Sequence, residues 1–365
     1  MQKKCKILLI GFFVIFTIPV LVATIIIWYV DPFRLYHEPF MCKNQIYDDM
    51  RYNAKGLIDY TDFDSLILGS SMLSNTSSKE AGDLLGGKFL NLSMWGSDFE
   101  DRAVIMDYAL RKKNIKKIIF SLDRGYMLQT YMPTQVPSDK FYFLYNKFRI
   151  DSFKIYLNNR LLKKIFSFKC ESFQPDIDMP SSWYNENDAK LFGLNGWKRE
   201  YAPKFMEEME RFLSNKTEKK NIDPIILEEK KIYIEKNILN YAKKYPQTDF
   251  ILLIPPYFVA QNIINDKYSS FSFQNKLIKY ILDQNLKNIK IYGFDDRNFV
   301  LNIENYRDMI HYLPTINSEI TKSISKNIGE INKENIDTWQ AKCEEMANNF
   351  DIMKLYNYFL DTKLK

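Results

Sequence analysis

The chain has 365 residues, 46% of them hydrophobic and 15% aromatic, a globular composition with enough apolar mass to bury a large core. Its net charge of +6 comes from 51 basic and 45 acidic residues mixed along the chain, which leaves no basic stripe for nucleic acid and only a mild preference for anionic surfaces or substrates. Four cysteines are too few for a disulfide scaffold and two histidines cannot build a multi-imidazole metal centre, so no metal and no cofactor are expected.

From Ile7 to Val30 the chain carries no charge, a run long enough to cross a bilayer as a helix, with Pro19 as a potential kink. Lys3, Lys4 and Lys6 precede it, and Asp31, Arg34 and Glu38 follow. The positive-inside rule then predicts a single-pass anchor over residues 1–30, with the N-terminus in the cytoplasm and the rest outside a bacterial inner membrane. The alternative is a cleaved signal peptide. Against it, the run exceeds the ~7–15 apolar residues of such signals and no small-x-small site follows. Trp28 and Tyr29 suit the outer interface of a retained anchor, and His37 reads as an interfacial residue without chemistry. Among the exported cysteines, Cys42, Cys170 and Cys343, at most one bridge can form.

Residues 31–62, with Pro32 and Pro39, read as a connector. Alternation of strand and helix follows. Asp64 to Leu68 is a short apolar run ended by Gly69-Ser70-Ser71; Ser77 caps a helix that Gly86-Gly87 ends; Phe89 to Ser93 is a second strand closed by the Trp95-Gly96-Ser97 turn. Asp98 to Arg111 has Phe99, Ala103, Met106 and Leu110 at helical spacing, and Lys116 to Leu122 is a third strand. The rhythm lapses over residues 124–245, where Tyr131, Phe141, Tyr145, Phe148, Trp183 and Trp197 mark an aromatic-rich helical insertion. Its aromatics either form their own core or overhang the site as a lid or glycan groove. Strands at Asp249–Ile254 and Ile289–Phe294, with a helix from Phe273 to Gln284 between them, then resume the pattern. The expected fold is an α/β domain over residues 63–330, a doubly wound, flavodoxin-like parallel sheet of about five strands, followed by a helical tail over 331–365.

Serines after a strand stand where open α/β sheets place ligands, but a hydroxyl needs a base to become a nucleophile. With His37 beside the anchor, His311 is the one plausible base, and Asp308 three residues earlier is spaced to fix its tautomer. Each element has a bland reading too: a Gly-Ser-Ser turn can be a helix cap, and Asp308 can cap a helix without any histidine partner.

In their order along the chain these motifs resemble the SGNH (GDSL-like) hydrolases, whose first block is a strand followed by Gly-Asp-Ser and whose last is Asp-x-x-His. Gly69-Ser70-Ser71 and Asp308 to His311 match them, with a serine in place of the aspartate. Asn91 to Gly96 resembles the second block. Ser121-Leu122-Asp123-Arg124 departs from the third, Gly-x-Asn-Asp, and a carboxylate cannot donate a hydrogen bond to an oxyanion. With its anchor the chain is most similar to the membrane-tethered branch that includes alginate O-acetylation proteins and the D-alanyl transfer protein of teichoic acid synthesis. The resemblance implies Ser71 as nucleophile, His311 as base, Asp308 as its partner, and an oxyanion hole from the N–H groups of Ser71 and Gly96. Ser70 and Asp123 are then substrate-facing or structural. It further implies an esterase or O-acyltransferase acting on acyl groups of an envelope polysaccharide, beside a multi-spanning acyl-exporting membrane protein. Two alternatives stand: a catalytically inactive relative that binds glycan or scaffolds an assembly complex, and, with a cleaved signal, a soluble lipase-like esterase.

Overall fold

A computed structural model describes residues 2–42, 46, 49–128, 140–145, 151–168, 177–179, 189–214, 223–266 and 270–363. Of the residues singled out above, Tyr131, Phe148, Cys170 and Trp183 lie outside them. The chain is α/β, built on a six-stranded, mostly parallel sheet: β1 (Ser65–Leu68), β2 (Phe89–Asn91), β3 (Lys117–Ser121), β4 (Asp249–Ile254), β5 (Ile289–Gly293) and β6 (Glu330–Ile331), in the spatial order β2-β1-β3-β4-β5-β6. The first five strands are parallel and β6 runs antiparallel to β5. All four residues of β1 are buried, which is why its sequence is a continuous apolar run with no alternation. Leu68 pairs with Phe120, so β1 and β3 end at the same level and the loops that follow them emerge side by side.

Sequence expectations and structure differ at three places. The sheet has a sixth strand, two residues long, entered through Gly329 at a φ of 86° that favours glycine; so short a strand leaves no periodic trace. The described residues between 31 and 62 are packed, with a helix at Met50–Tyr60 whose Ala54, Leu57 and Ile58 are buried against the helix Phe99–Lys112. Phe33 and Leu35 are buried, the Leu35 and Tyr36 N–H groups donate to Asp31, and Gly56 admits the Phe33–Arg34 backbone where a side chain would collide. Residues 331–365 carry two helices, Ile336–Asn349 and Ile352–Lys363, which bury Ile336, Trp339, Cys343 and Phe359 in the common core.

The remaining elements have evident local causes. Asp98 caps the helix Phe99–Lys112 by accepting from the Asp101 N–H, and acids in the first turn with Arg111 and Lys112 in the last complement its dipole. Ser77 caps Ser78–Leu85 in the same way through the Glu80 N–H. Within the insertion, helices at Asn159–Ser167, Ala202–Ser214 and Pro224–Ile234 are described, and Trp197 and Phe205 are fully buried. The N-terminal helix spans Gln2–Val30, and its stretch Ile10–Val30 is long and apolar enough to cross a membrane. Its apolar side chains are exposed along most of that length, while Ile27 and Val30 near its end join the core and Ile26 packs against it. Cys42 is disulfide-bonded, whereas Cys343 is a free, buried thiol.

Candidate active site

Strand order reverses between β1 and β3, because β2 lies on one side of β1 and all later strands on the other; the crevice at such a point is where open α/β sheets hold ligands. Ser70 and Ser71 follow β1, and Asp123 follows β3. Gly69 turns the chain there: its N–H donates to Ser93 Oγ at 3.1 Å, and its carbonyl accepts from the Met94 N–H at 2.9 Å and from Ser97 Oγ at 3.2 Å. A side chain at Gly69 would meet Leu73 at 2.6 Å. The turns after β1 and β2 are thereby fastened to each other.

His311 arrives from the far end of the chain on a short loop. The loop's stem is a bridge between Tyr306 and Tyr312, both buried, and the Arg307 N–H donates to the His311 carbonyl at 2.9 Å. Tyr312 Oη donates to Asn317 Oδ1 at 3.0 Å, and Asn317 Nδ2 donates to the Met72 carbonyl at 3.1 Å, which ties this loop to the Ser71 turn. At the tip, Asp308 Oδ1 accepts from the N–H groups of Ile310 and His311 at 2.7 and 2.8 Å. Its other oxygen lies 2.7 Å from His311 Nδ1, and His311 Nε2 lies 2.8 Å from Ser71 Oγ. Ser71 and His311, 240 residues apart in sequence, thus join with Asp308 in one hydrogen-bonded relay.

The electrostatics agree with that arrangement. Burial pushes the imidazolium of His311 down, but the Asp308 carboxylate and the hydrogen bond to it outweigh burial, so the histidine is raised above its ordinary value. Burial pushes Asp308 up, yet the His311 charge and three hydrogen bonds leave its carboxyl below the usual carboxylate range. The relay stays open to reactants, with side-chain exposures of 30% at His311 and 22% at Asp308.

Beneath Ser71 lies a second, buried network. Asp123 accepts from Ser70 Oγ at 2.6 Å and Ser121 Oγ at 2.9 Å, and pairs with Arg102 at 2.7 Å. Arg102 also donates to Ser97 Oγ at 2.9 Å, to the Ser121 carbonyl at 2.6 Å and to the Ser97 carbonyl at 2.5 Å. Ser70 and Asp123 are buried, so both face inward and set the floor of the turn. Arg124 points elsewhere: it is enclosed by Gln274, Asn262 and Asp295 and joins the ends of β3 and β5.

Gly96 adopts a φ of 59° in the turn after β2. Among the described residues neither its N–H nor that of Ser71 has a hydrogen-bond acceptor, so both are available to an oxyanion. Next to Gly96, the Trp95 ring is 42% exposed while its Nε1 donates to Ser74 Oγ at 3.3 Å, an indole face held open beside the turn. The insertion residue Trp197 is placed differently: it is fully buried and donates to the Tyr306 carbonyl at 2.9 Å, bracing the His311 loop from behind. His37 is remote, between the carbonyls of Trp28 and Glu38.

Sequence reading brought Ser71, Asp308 and His311 together and missed Arg102, Asn317 and Trp95. A signal for Arg102 was present. It falls on the apolar face of its helix, in register with Phe99, Ala103 and Met106, where a charge demands a buried partner. No protein-family model and no curated protein matches this chain.

Proposed function

We propose that the protein is a serine acyl esterase or O-acyltransferase of the SGNH type that works through an acyl-serine at Ser71. One observation carries this reading: Ser71 Oγ, His311 and Asp308 stand in series at 2.8 and 2.7 Å. His311 Nε2 takes the Ser71 proton as Oγ attacks the ester carbonyl carbon, and Asp308 stabilises the imidazolium that forms. The N–H groups of Ser71 and Gly96 hold the tetrahedral oxyanion. Collapse breaks the bond to the leaving alkoxide, which receives the proton from His311 and departs as an alcohol. The second half repeats these steps with water, giving a carboxylic acid, or with a sugar hydroxyl, giving a new ester. Support for the doubly wound, flavodoxin-like reading comes from the order β2-β1-β3-β4-β5, and β6 extends it.

The reading extends to the cell envelope. The helix Gln2–Val30 tethers the chain, and the lysines of its first turns, before the apolar run, favour a cytoplasmic N-terminus and a domain on the outer face. The disulfide at Cys42 favours an oxidising compartment. A tethered enzyme with an exposed indole beside its oxyanion turn suits acyl groups on a surface polysaccharide, since aromatic faces stack on sugar rings. An acyl donor made in the cytoplasm then calls for a multi-spanning partner to carry it across. The alternative of an inactive relative drew on the departure at Asp123. That carboxylate is spent on Arg102, while the relay itself is at hydrogen-bonding distance, which favours catalysis.

The test is hydrolysis of p-nitrophenyl acetate by the detergent-solubilised full chain, with mass spectrometry of the Ser71 peptide after a fluorophosphonate. Turnover and labelling lost in both Ser71→Ala and His311→Ala are expected. A folded protein that neither turns over nor labels at Ser71 would sink the catalytic reading.

A further inference from the structure

The join between the N-terminal helix and the domain is built from packed residues, with no free tether. Asp31, directly after the helix, is buried and accepts from the N–H groups of Leu35, Tyr36 and His37 at 3.0, 2.8 and 3.1 Å and from Tyr156 Oη. The helix turns one stripe to the domain. In its last two turns Ala23, Ile26, Ile27 and Val30 are wholly or partly buried, at the i, i+3, i+4, i+7 spacing of a single helix face. Phe12–Val22 before them is exposed throughout, so the helix Asn159–Ser167, which packs against the N-terminal helix, meets it at this stripe.

Length sets the depth of that contact. As a helix the uncharged run Ile7–Val30 rises about 36 Å at ~1.5 Å per residue, whereas the hydrocarbon core of a bilayer is ~30 Å thick. About one turn is therefore surplus, and the stripe that the domain covers lies at that end of the run. The helix Asn159–Ser167 accordingly lies where hydrocarbon gives way to headgroups. Its surface suits the place: Ile165 is buried toward the core, Phe166 is exposed, and Leu157 and Phe168, exposed on either side of the helix, extend the apolar surface. Trp28 and Tyr29 are exposed in the last turn of the N-terminal helix, and the exposed ring of Phe40 stacks on Tyr29 at 5.3 Å, as aromatic residues stand at a membrane interface. From length, packing and exposure together we infer that this face of the domain is seated in the headgroup layer of the bilayer that the N-terminal helix crosses, with Leu157, Phe166 and Phe168 turned toward the acyl chains. The domain then rides at a fixed height and tilt over the membrane instead of swinging on a tether, and Ser71 meets substrates displayed at one distance from the lipid. The inference goes beyond acyl chemistry and rests on reading Gln2–Val30 as a membrane span.

The test puts a nitroxide on the full chain, purified into dioleoyl phosphatidylcholine nanodiscs, with Cys5→Ser as the parent and its unlabelled form as the blank. Four single variants are labelled: Ile15→Cys within the span, Phe166→Cys and Phe168→Cys on the proposed face, and Ile232→Cys on the helix Pro224–Ile234. All four positions are exposed, so each labelled protein should keep the parent's melting temperature. Collision rates with oxygen and with a water-soluble nickel chelate report depth, since oxygen concentrates among acyl chains and the chelate stays in water. The oxygen-to-nickel ratio is expected to be highest at Ile15 and, at Phe166 and Phe168, roughly fivefold or more above that at Ile232. Ratios at Phe166 and Phe168 equal to that at Ile232, with Ile15 shielded from nickel, would overturn the seating and leave a protein partner to cover this face. A label at Ile15 as open to nickel as one at Ile232 would overturn it at the membrane span. Neither result touches the acyl-serine reading, which stands or falls on labelling of Ser71.

Discussion

Arg102 sets its guanidinium 2.7 Å from the carboxylate of Asp123, with both side chains almost wholly enclosed, under the turn that carries Ser71. Asp123 stands where the resemblance to SGNH hydrolases would put an asparagine donor, and here it is the partner of a buried cation. Asp123→Asn is therefore expected to cost about 3–5 kcal/mol, because it leaves a buried charge uncompensated, and to bring no gain in rate. Pairing it with Arg102→Met removes the stranded charge and should recover part of the loss. Urea unfolding of the two variants decides the point: equal stability of Asp123→Asn and wild type would mean that the pair holds nothing together.

In the proposed mechanism Ser71, His311 and Asp308, joined in series by hydrogen bonds, work as a unit, so their contributions are not additive. Ser71→Ala and His311→Ala are each expected to lower kcat by roughly 10⁴-fold or more, and the double variant no further. Asp308→Asn should retain more activity than either, since the base survives without its orienting anion. Single-turnover acylation by an activated ester gives the ranking, and a double variant much slower than both singles would contradict it.

The pH dependence follows from the sign of the His311 shift. Activity requires the neutral imidazole, and Asp308 raises the histidine above its ordinary value, so kcat/KM should climb through a midpoint above ~6.5. Asp308→Asn removes the main raising influence and should move that midpoint down, even as the plateau falls. The shift has a stability counterpart of the same origin. The folded-state gain from the charged histidine is complete below the unfolded imidazole value of ~6.5 and is lost as pH rises through the raised one. A pH–rate profile of the two proteins suffices, and an unmoved midpoint in Asp308→Asn would remove the carboxylate from its assigned role.

Much of this site was legible because its chemistry is scarce. Two histidines, one of them beside the apolar helix, leave His311 without rivals, and continuous apolar runs such as β1 announce strands covered on both faces. What stayed hidden was decided by partners distant in sequence. Residues 31–62, with Pro32 and Pro39, read as a connector, and the helix Met50–Tyr60 within them becomes core where the helix Phe99–Lys112 presents a matching face. Residues 331–365 read as a helical tail, and only the packed structure brings Trp339, Cys343 and Phe359 into the common core. Asp123 at its strand end read as either substrate-facing or structural, and only the pairing with Arg102, from another element, decides between the two.

Gly96 tests the oxyanion assignment. At a φ of 59°, an alanine costs roughly 1–2 kcal/mol of backbone strain and turns the N–H away if the chain relaxes. Gly96→Ala is expected to lower kcat by about 10²-fold, the usual size for one lost oxyanion donor, with KM little changed. Steady-state kinetics separates this from simple destabilisation, which would reduce the amount of folded enzyme and the labelled fraction of Ser71 together.

The C-terminal helix reaches the site through two aromatic rings. Phe359 is buried and stacks on Trp197, with centroids 6.2 Å apart and planes 11° from parallel, and Trp197 in turn donates to the Tyr306 carbonyl in the stem of the His311 loop. Truncating Phe359 to alanine leaves a cavity behind that stem and should cost about 3–5 kcal/mol. Because the stem holds Asp308 and His311 against Ser71, the loosened loop should also slow acylation of the protein that remains folded. Phe359→Leu fills most of the volume and is expected to restore both. Thermal unfolding and the fluorophosphonate labelling rate, measured on the same samples, distinguish the two effects: a destabilised Phe359→Ala that labels at the wild-type rate would confine the ring to packing and detach the C-terminal helix from the chemistry.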